Sequence, residues 1–196
     1  SKQKSIDISN QTKFNKNASA QYTVQVTGDN IETFEQQNVD VAGTTTLDVT
    51  VNRTVTDIDG NIYSTVKIGD QWWMAENLKV TQYSNGEDIP NLKDAAEWAA
   101  DTIGTYCYYG NRESYSNSNG NLYNWYVAVD ERGVCPEGWH VPSDDEWNTM
   151  EMALGMSQEE SLRMTAWRGT DEGDKLKTEE FGGNNSSGFA ALGTGY

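Results

Sequence analysis

The segment GWHVPSDDEW at positions 138–147 constrains the fold of this chain more than any other ten residues. A short apolar lead-in, introduced by Cys135 and Pro136, runs directly into the start of a helix. Ser143 and Glu146 have the spacing of a capping box, in which each side chain satisfies a free backbone N–H at the helix start. Asp144 and Asp145 put carboxylates in the first turn, where the helix dipole is positive. Trp147, Met150 and Leu154 recur at i, i+3 and i+7, and Gly155 stands where a helix end is capped. A helix over residues 144–154 with one face on a core is therefore expected. All these roles are structural, and none implies catalysis.

Elsewhere the chain is punctuated by hairpins. Residues 55–58, the pair Asp59 and Gly60, and residues 61–63 read as strand, type I′ turn and return strand. Residues 66–68 and 71–74 repeat the device around Gly69 and Asp70, with glycine first as a type II′ turn prefers. The alternating oxygens of DIDGN at 57–61 suggest a calcium loop. An EF-hand, however, needs Gly at its sixth position and Glu at its twelfth, where this chain has Ile68. A turn is expected instead. Further on, the pattern predicts a short helix over 91–100, a strand over 106–109 and a polar loop over 111–120. An aromatic strand or helical turn follows at 122–129, then a helical turn within 157–164, a polar loop over 169–187 and a last apolar segment at 189–192.

Residues 1–52 form a separate region without Trp or Cys. Period-two alternation at Tyr22, Val24 and Val26, and again at Leu47, Val49 and Val51, predicts strands over 20–27, 38–42 and 45–52. These make a small antiparallel β unit, or part of a larger one, preceded by a disordered or extended stretch at 1–15. Fifty residues seldom form a stable sandwich by themselves.

Charge narrows the partners. With 14 Lys and Arg against 30 Asp and Glu, the net charge is −16. Nucleic acid and anionic membrane surfaces both require clustered cations, so neither is an expected partner. No run of 18 apolar residues is present to span a bilayer, and no membrane insertion of this segment is expected. Seven Trp, ten Tyr and four Phe supply a core despite a hydrophobic fraction of 36%. Two cysteines are too few for a disulfide framework. With one His they also fall short of a zinc site, so no metal or cofactor is expected.

Catalytic constellations are not visible either. His140, the single histidine, lies between Trp139 and Val141 just before the helix, and reads as structural. Serine or cysteine nucleophiles would need it as their base. Glycoside hydrolysis needs two carboxylates across a sugar-sized cleft, but Asp144, Asp145 and Glu146 already have roles at the helix start. Binding without catalysis is the expectation, with a carbohydrate-active enzyme as the weakest rival. Aromatic side chains outside the tight motifs are the candidate ligand contacts, because Tyr and Trp offer an apolar ring with a polar handle. They are Trp98 and Trp167, with Tyr108, Tyr109 and Tyr115 flanking the polar loop.

Four motifs occur together in one order: TVTDIDGNIY at 54–63, VKIGDQWWMAENLK at 66–79, GNLYNWY at 120–126 and GWHVPSDDEW at 138–147. In this they resemble the Fibrobacter succinogenes major paralogous domain, a family of bacterial secreted and surface domains, over residues 53–196. The resemblance implies an α+β fold of the C-type-lectin-like kind, with short antiparallel strands and two main helices, preceded by the β segment 1–52. It implies a secreted or outer-membrane surface location, with a lipoprotein anchor lying outside this sequence. The implied role is display of loops to a glycan or a cell-surface protein; a structural module in a larger surface assembly is the alternative. The helix also resembles that of formylglycine-generating-enzyme-like domains, but their C-terminal catalytic cysteines have no counterpart here.

The resemblance also bears on particular residues. Trp72, Trp73, Trp125, Trp139 and Trp147 fall in its motifs and are expected in or near the core. Calcium-dependent lectins carry Glu-Pro-Asn-like triplets; Ile89, Pro90 and Asn91 approach this without the acid. The family pattern continues past the segment matching 188–192, with a Trp-Ser-Ser-like strand and a terminal Cys that find no match before Tyr196. Cys135 would pair with that terminal Cys, so no bridge between Cys107 and Cys135 is expected.

Overall fold

The structure is a computed structural model that describes residues 2–6, 20–26, 34–41, 53–164 and 167–193. The chain falls into two compact units, Ser1–Thr54 and Val55–Tyr196.

The first unit contains a three-stranded sheet ordered β1-β2-β3: β1 (Lys2–Ile6), β2 (Ala20–Val26) and β3 (Phe34–Val41). β2 and β3 run antiparallel from Ala20 opposite Val41 to Val26 opposite Phe34, with an irregularity between Tyr22 and Val24. β1 lies parallel to β2, Lys2 opposite Tyr22 and Ile6 opposite Val26. This corrects the expectation of a purely antiparallel unit and puts a strand within the first 15 residues. Alternation locates a strand but carries no information about the direction of its neighbour. β3 also starts four residues before the predicted 38, and the strand predicted at 45–52 lies outside the described residues.

The second unit is α+β. Strands β4 (Thr54–Thr56), β5 (Ile62–Ile68) and β6 (Gln71–Met74) form one sheet in that order. The β5–β6 turn is the two-residue loop expected, with Gly69 at φ +59° between the paired Ile68 and Gln71. The β4–β5 turn differs from the expected type I′, which needs positive φ at both central residues. Among the described residues other than glycine only Asn111, Asn185 and Ala190 have positive φ, so Asp59 does not qualify. Instead Gly60 N–H donates to Asp57 O (3.1 Å), Asp57 N–H to Asn61 O (3.0 Å), and Gly60 takes φ +82°. This is the three-residue loop with a left-handed glycine. The Asp57 carboxylate closes it, accepting from Asn61 N–H (2.8 Å), Asn61 Nδ2 (2.9 Å) and the buried Tyr63 hydroxyl (2.6 Å).

Next come α1 (Ala95–Ala100), β7 (Tyr106–Tyr108), α2 (Ser116–Asn119), β8 (Asn121–Tyr123) and α3 (Trp125–Ala128). β7 and β8 pair antiparallel, with Cys107 opposite Leu122. The expected loop at 111–120 is thus largely short helical turns. After these come α4 (Asp144–Ala153), α5 (Gln158–Ser161) and α6 (Glu172–Leu176). α6 lies inside the predicted polar loop 169–187, and was missed because only five residues long. It is recruited by packing: Glu172 is buried and Leu176 meets the core. α4 ends with Met156 N–H on Glu151 O (3.1 Å) and Gly155 N–H on Met152 O (3.1 Å). That is a Schellman motif with Gly155 just past the cap.

Two apolar clusters hold the unit. One contains Val80, Tyr83, Ile89, Tyr106, Val127 and Val134. The other contains Ile68, Trp73 and Met150, flanked by Val66, Trp147, Leu154, Leu176 and Phe189. The α4 stripe therefore reaches the core as predicted. Cys107 and Cys135 are free, partly shielded thiols, and burial pushes both up from their ordinary range. Alkylation without reductant is expected to add two groups, slowly in the native protein and faster once it is unfolded. A mass unchanged by alkylation would show a bridge instead.

Candidate functional site

His140 is engaged by the helix start. Its Nε2 lies 2.6 Å from Glu146 Oε1, while Glu146 Oε2 accepts from the Ser143 backbone N–H and hydroxyl, each at 2.8 Å. The backbone and hydroxyl bonds from Ser143, aided by His140, hold the Glu146 carboxyl at about 2, well below the ordinary 4.5. A carboxyl depressed on folding stabilises the native state above its unfolded pKa, and that contribution is lost as pH falls through the folded value. Acid melts are therefore expected to show wild type losing stability between about pH 4.5 and 2, and Glu146→Gln losing less over the same window. Equal losses would overturn this assignment.

The expected ligand residues are scattered. Trp98 is half-buried on α1 and Tyr108 packs on the first cluster against Tyr106 (5.6 Å between ring centroids). Tyr109 and Tyr115 do come together, at 6.0 Å, with the Arg112 guanidinium 5.6 Å over the Tyr115 ring and its Nη1 donating to the Tyr115 hydroxyl (3.2 Å). Trp167 is fully exposed beside Arg168, which pairs with Glu151 (2.9 Å). No ring contact among the described residues joins Trp98 or Trp167 to the tyrosine pair. The Ile89, Pro90, Asn91 triplet is spent on β7: Pro90 O accepts Tyr106 N–H (2.9 Å) and Asn91 Nδ2 donates to Tyr106 O (3.3 Å).

A different surface gathers the aromatic residues. α3 spans four residues and buries only Val127. Trp125 stands 72% exposed, Val129 54% and Tyr126 40%, and Ile103 opposite them 62%. Trp125 was expected near the core, as was Trp72, which is also exposed. One helical turn cannot bury three consecutive large side chains, and adjacent strand residues face opposite ways. That crowding at 125–127 was the signal available in the sequence. Trp125 and Val129 are four apart and share a helix face.

Backbone ties fix this surface. Asn124 caps α3 through Oδ1 on Val127 N–H (3.2 Å), and its Nδ2 donates to Ile103 O (2.7 Å) and Asp101 Oδ2 (3.0 Å). Asp101 also accepts from Thr105 Oγ1 (2.6 Å) and Ile103 N–H (3.1 Å), and the Thr105 bond leads in holding its carboxyl below the usual range. Between the 102–104 segment and residues 126–132 runs an open groove of about 460 Å³, with Ile103, Gly104, Tyr126, Val129, Glu131 and Arg132 in its lining. At one end the Arg132 guanidinium grips Asp130 with Nε (2.8 Å) and Nη2 (2.7 Å), and reaches Glu87 with Nη1 (2.7 Å). It lies over the Tyr83 ring, 3.8 Å from the centroid, and holds the Asp130 carboxyl down to about 2. Tyr83 is wholly buried behind Gly104, its hydroxyl without a hydrogen-bond partner among the described residues.

This arrangement places exposed apolar side chains beside carboxylates held by hydrogen bonds. Among the described residues no group of three or more His, Cys, Asp and Glu side chains is placed to hold a metal ion, and no helix is long and apolar enough to cross a membrane. The family model of the Fibrobacter succinogenes major domain matches residues 66–196. No curated protein and no solved structure matches the chain.

Proposed function

The chain belongs to the Fibrobacter succinogenes major domain family, and from that membership we propose that it is a non-catalytic recognition domain displayed outside a bacterial cell. Its second unit takes a C-type-lectin-like fold in this reading, secreted or held at the outer-membrane surface by a lipid anchor elsewhere in the protein. It presents its surface loops to a glycan or a cell-surface protein. The observation that carries the reading is the α3 face. Trp125, Tyr126, Val129 and Ile103 stay exposed beside one another on this surface. Exposed aromatic side chains grouped on one rigid surface mark interaction sites.

The test is a glycan array, with and without Ca²⁺, beside capture from purified cell-surface proteins, each run with wild type and Trp125→Ala. Expected is a ligand whose affinity falls about tenfold or more in the variant, as for a central aromatic contact. A ligand indifferent to Trp125→Ala would move the site elsewhere, and no ligand in either format would overturn the reading.

A further inference from the structure

We propose that the α3 face docks a positively charged, apolar-anchored segment of a protein partner, an inference that rests on the recognition reading above. The first support is the field around the groove. Glu131 makes no ion pair among the described residues, and the carboxylates of Asp101, Asp130 and Glu87 all lie near enough to act on Tyr83 beneath the groove. Arg132 is the one cation in the lining among the described residues, and its charge is opposed by the two carboxylates it pairs with, Asp130 and Glu87, so the net local charge stays negative. With 30 acidic against 14 basic residues in the chain, the long-range field has the same sign as the local one. Such a field speeds and selects cationic partners.

The second support is the chemistry of the surface inside that field. Trp125 beside the groove and Tyr126 in its lining give exposed aromatic surface to a Lys or Arg head group, and Ile103 and Val129 give apolar contact to its neighbours. The groove is therefore matched to a segment that carries an aliphatic or aromatic anchor between basic residues. A neutral sugar would gain from the rings and could donate its hydroxyls to the carboxylates, but it would gain nothing from the net charge of the field.

The experiment is selection of a phage-displayed random dodecapeptide library on the full chain. Expected clones carry an apolar anchor flanked by Lys or Arg. As synthetic peptides they should lose about tenfold in affinity to Trp125→Ala, and again to Glu131→Lys or on raising salt from about 50 to 500 mM. Because Trp125 and Glu131 are exposed, both variants should melt as wild type does, so a loss reports the contact. Neutral or acidic clones, no enrichment, or clones indifferent to Trp125→Ala would overturn the inference. A glycan lost on Trp125→Ala would also overturn it while leaving the recognition reading intact; failure of both peptides and glycans would remove the two together.

Discussion

Trp73→Ala is expected to cost the second unit about 3–5 kcal/mol, a large part of the 5–15 kcal/mol that holds a typical domain folded. Trp73 is only 8% exposed and joins β6 to α4 and to the last apolar segment, with ring centroids 4.8 Å from Trp147 and 6.0 Å from Phe189. Those two rings are themselves 6.0 Å apart, so removing the indole opens a cavity bounded by large groups that cannot collapse into it. The loss is one of packing, because the Trp73 Nε1–H has no hydrogen-bond partner among the described residues. Trp73→Phe should therefore recover most of the stability. Urea denaturation of the three proteins decides this, and a Trp73→Ala midpoint close to wild type would show that the three-ring cluster does not hold the unit.

Gly104→Ala should cost about 2–3 kcal/mol for a different reason, overpacking. A methyl group there would overlap the Tyr83 hydroxyl and press on Val127. The hydroxyl itself lacks a partner among the described residues, so Tyr83→Phe should be neutral or stabilising by up to about 1 kcal/mol. Combining the two removes the overlap with the hydroxyl and leaves only the close contacts with the ring edge and Val127, so the double variant should regain at least about 1 kcal/mol over the sum of the singles. Strict additivity in denaturation midpoints would show that Tyr83 and Gly104 do not meet in this way.

The parts legible in the sequence are those whose chemistry is local. The start of α4 follows from Ser143 and Glu146 alone, and its end from Gly155, because each bond there spans a few residues. The hairpins were legible in position; the type of the Asp59, Gly60 turn was not, because Asp57 selects it through its side-chain bonds to Asn61 and Tyr63. What depends on distant residues was hidden. The Arg132 to Glu87 bond crosses 45 positions, and the exposure of Trp125 depends on which side of α3 the Val80 and Tyr83 cluster occupies. Of the aromatic candidates outside the motifs the fold brings Tyr109 and Tyr115 together and leaves Trp98 and Trp167 apart, whereas two motif tryptophans, Trp72 and Trp125, are exposed.

The bonds made by Asn124 and Asp101 carry one more implication. They position α3 largely through polar groups, with Val127 as its one fully buried residue. The most exposed outward positions, 125 and 129, thereby carry little of the packing that holds the unit. Substitutions at Trp125 and Val129 should therefore alter that surface with little effect on the fold, so its chemistry could change while the scaffold is kept.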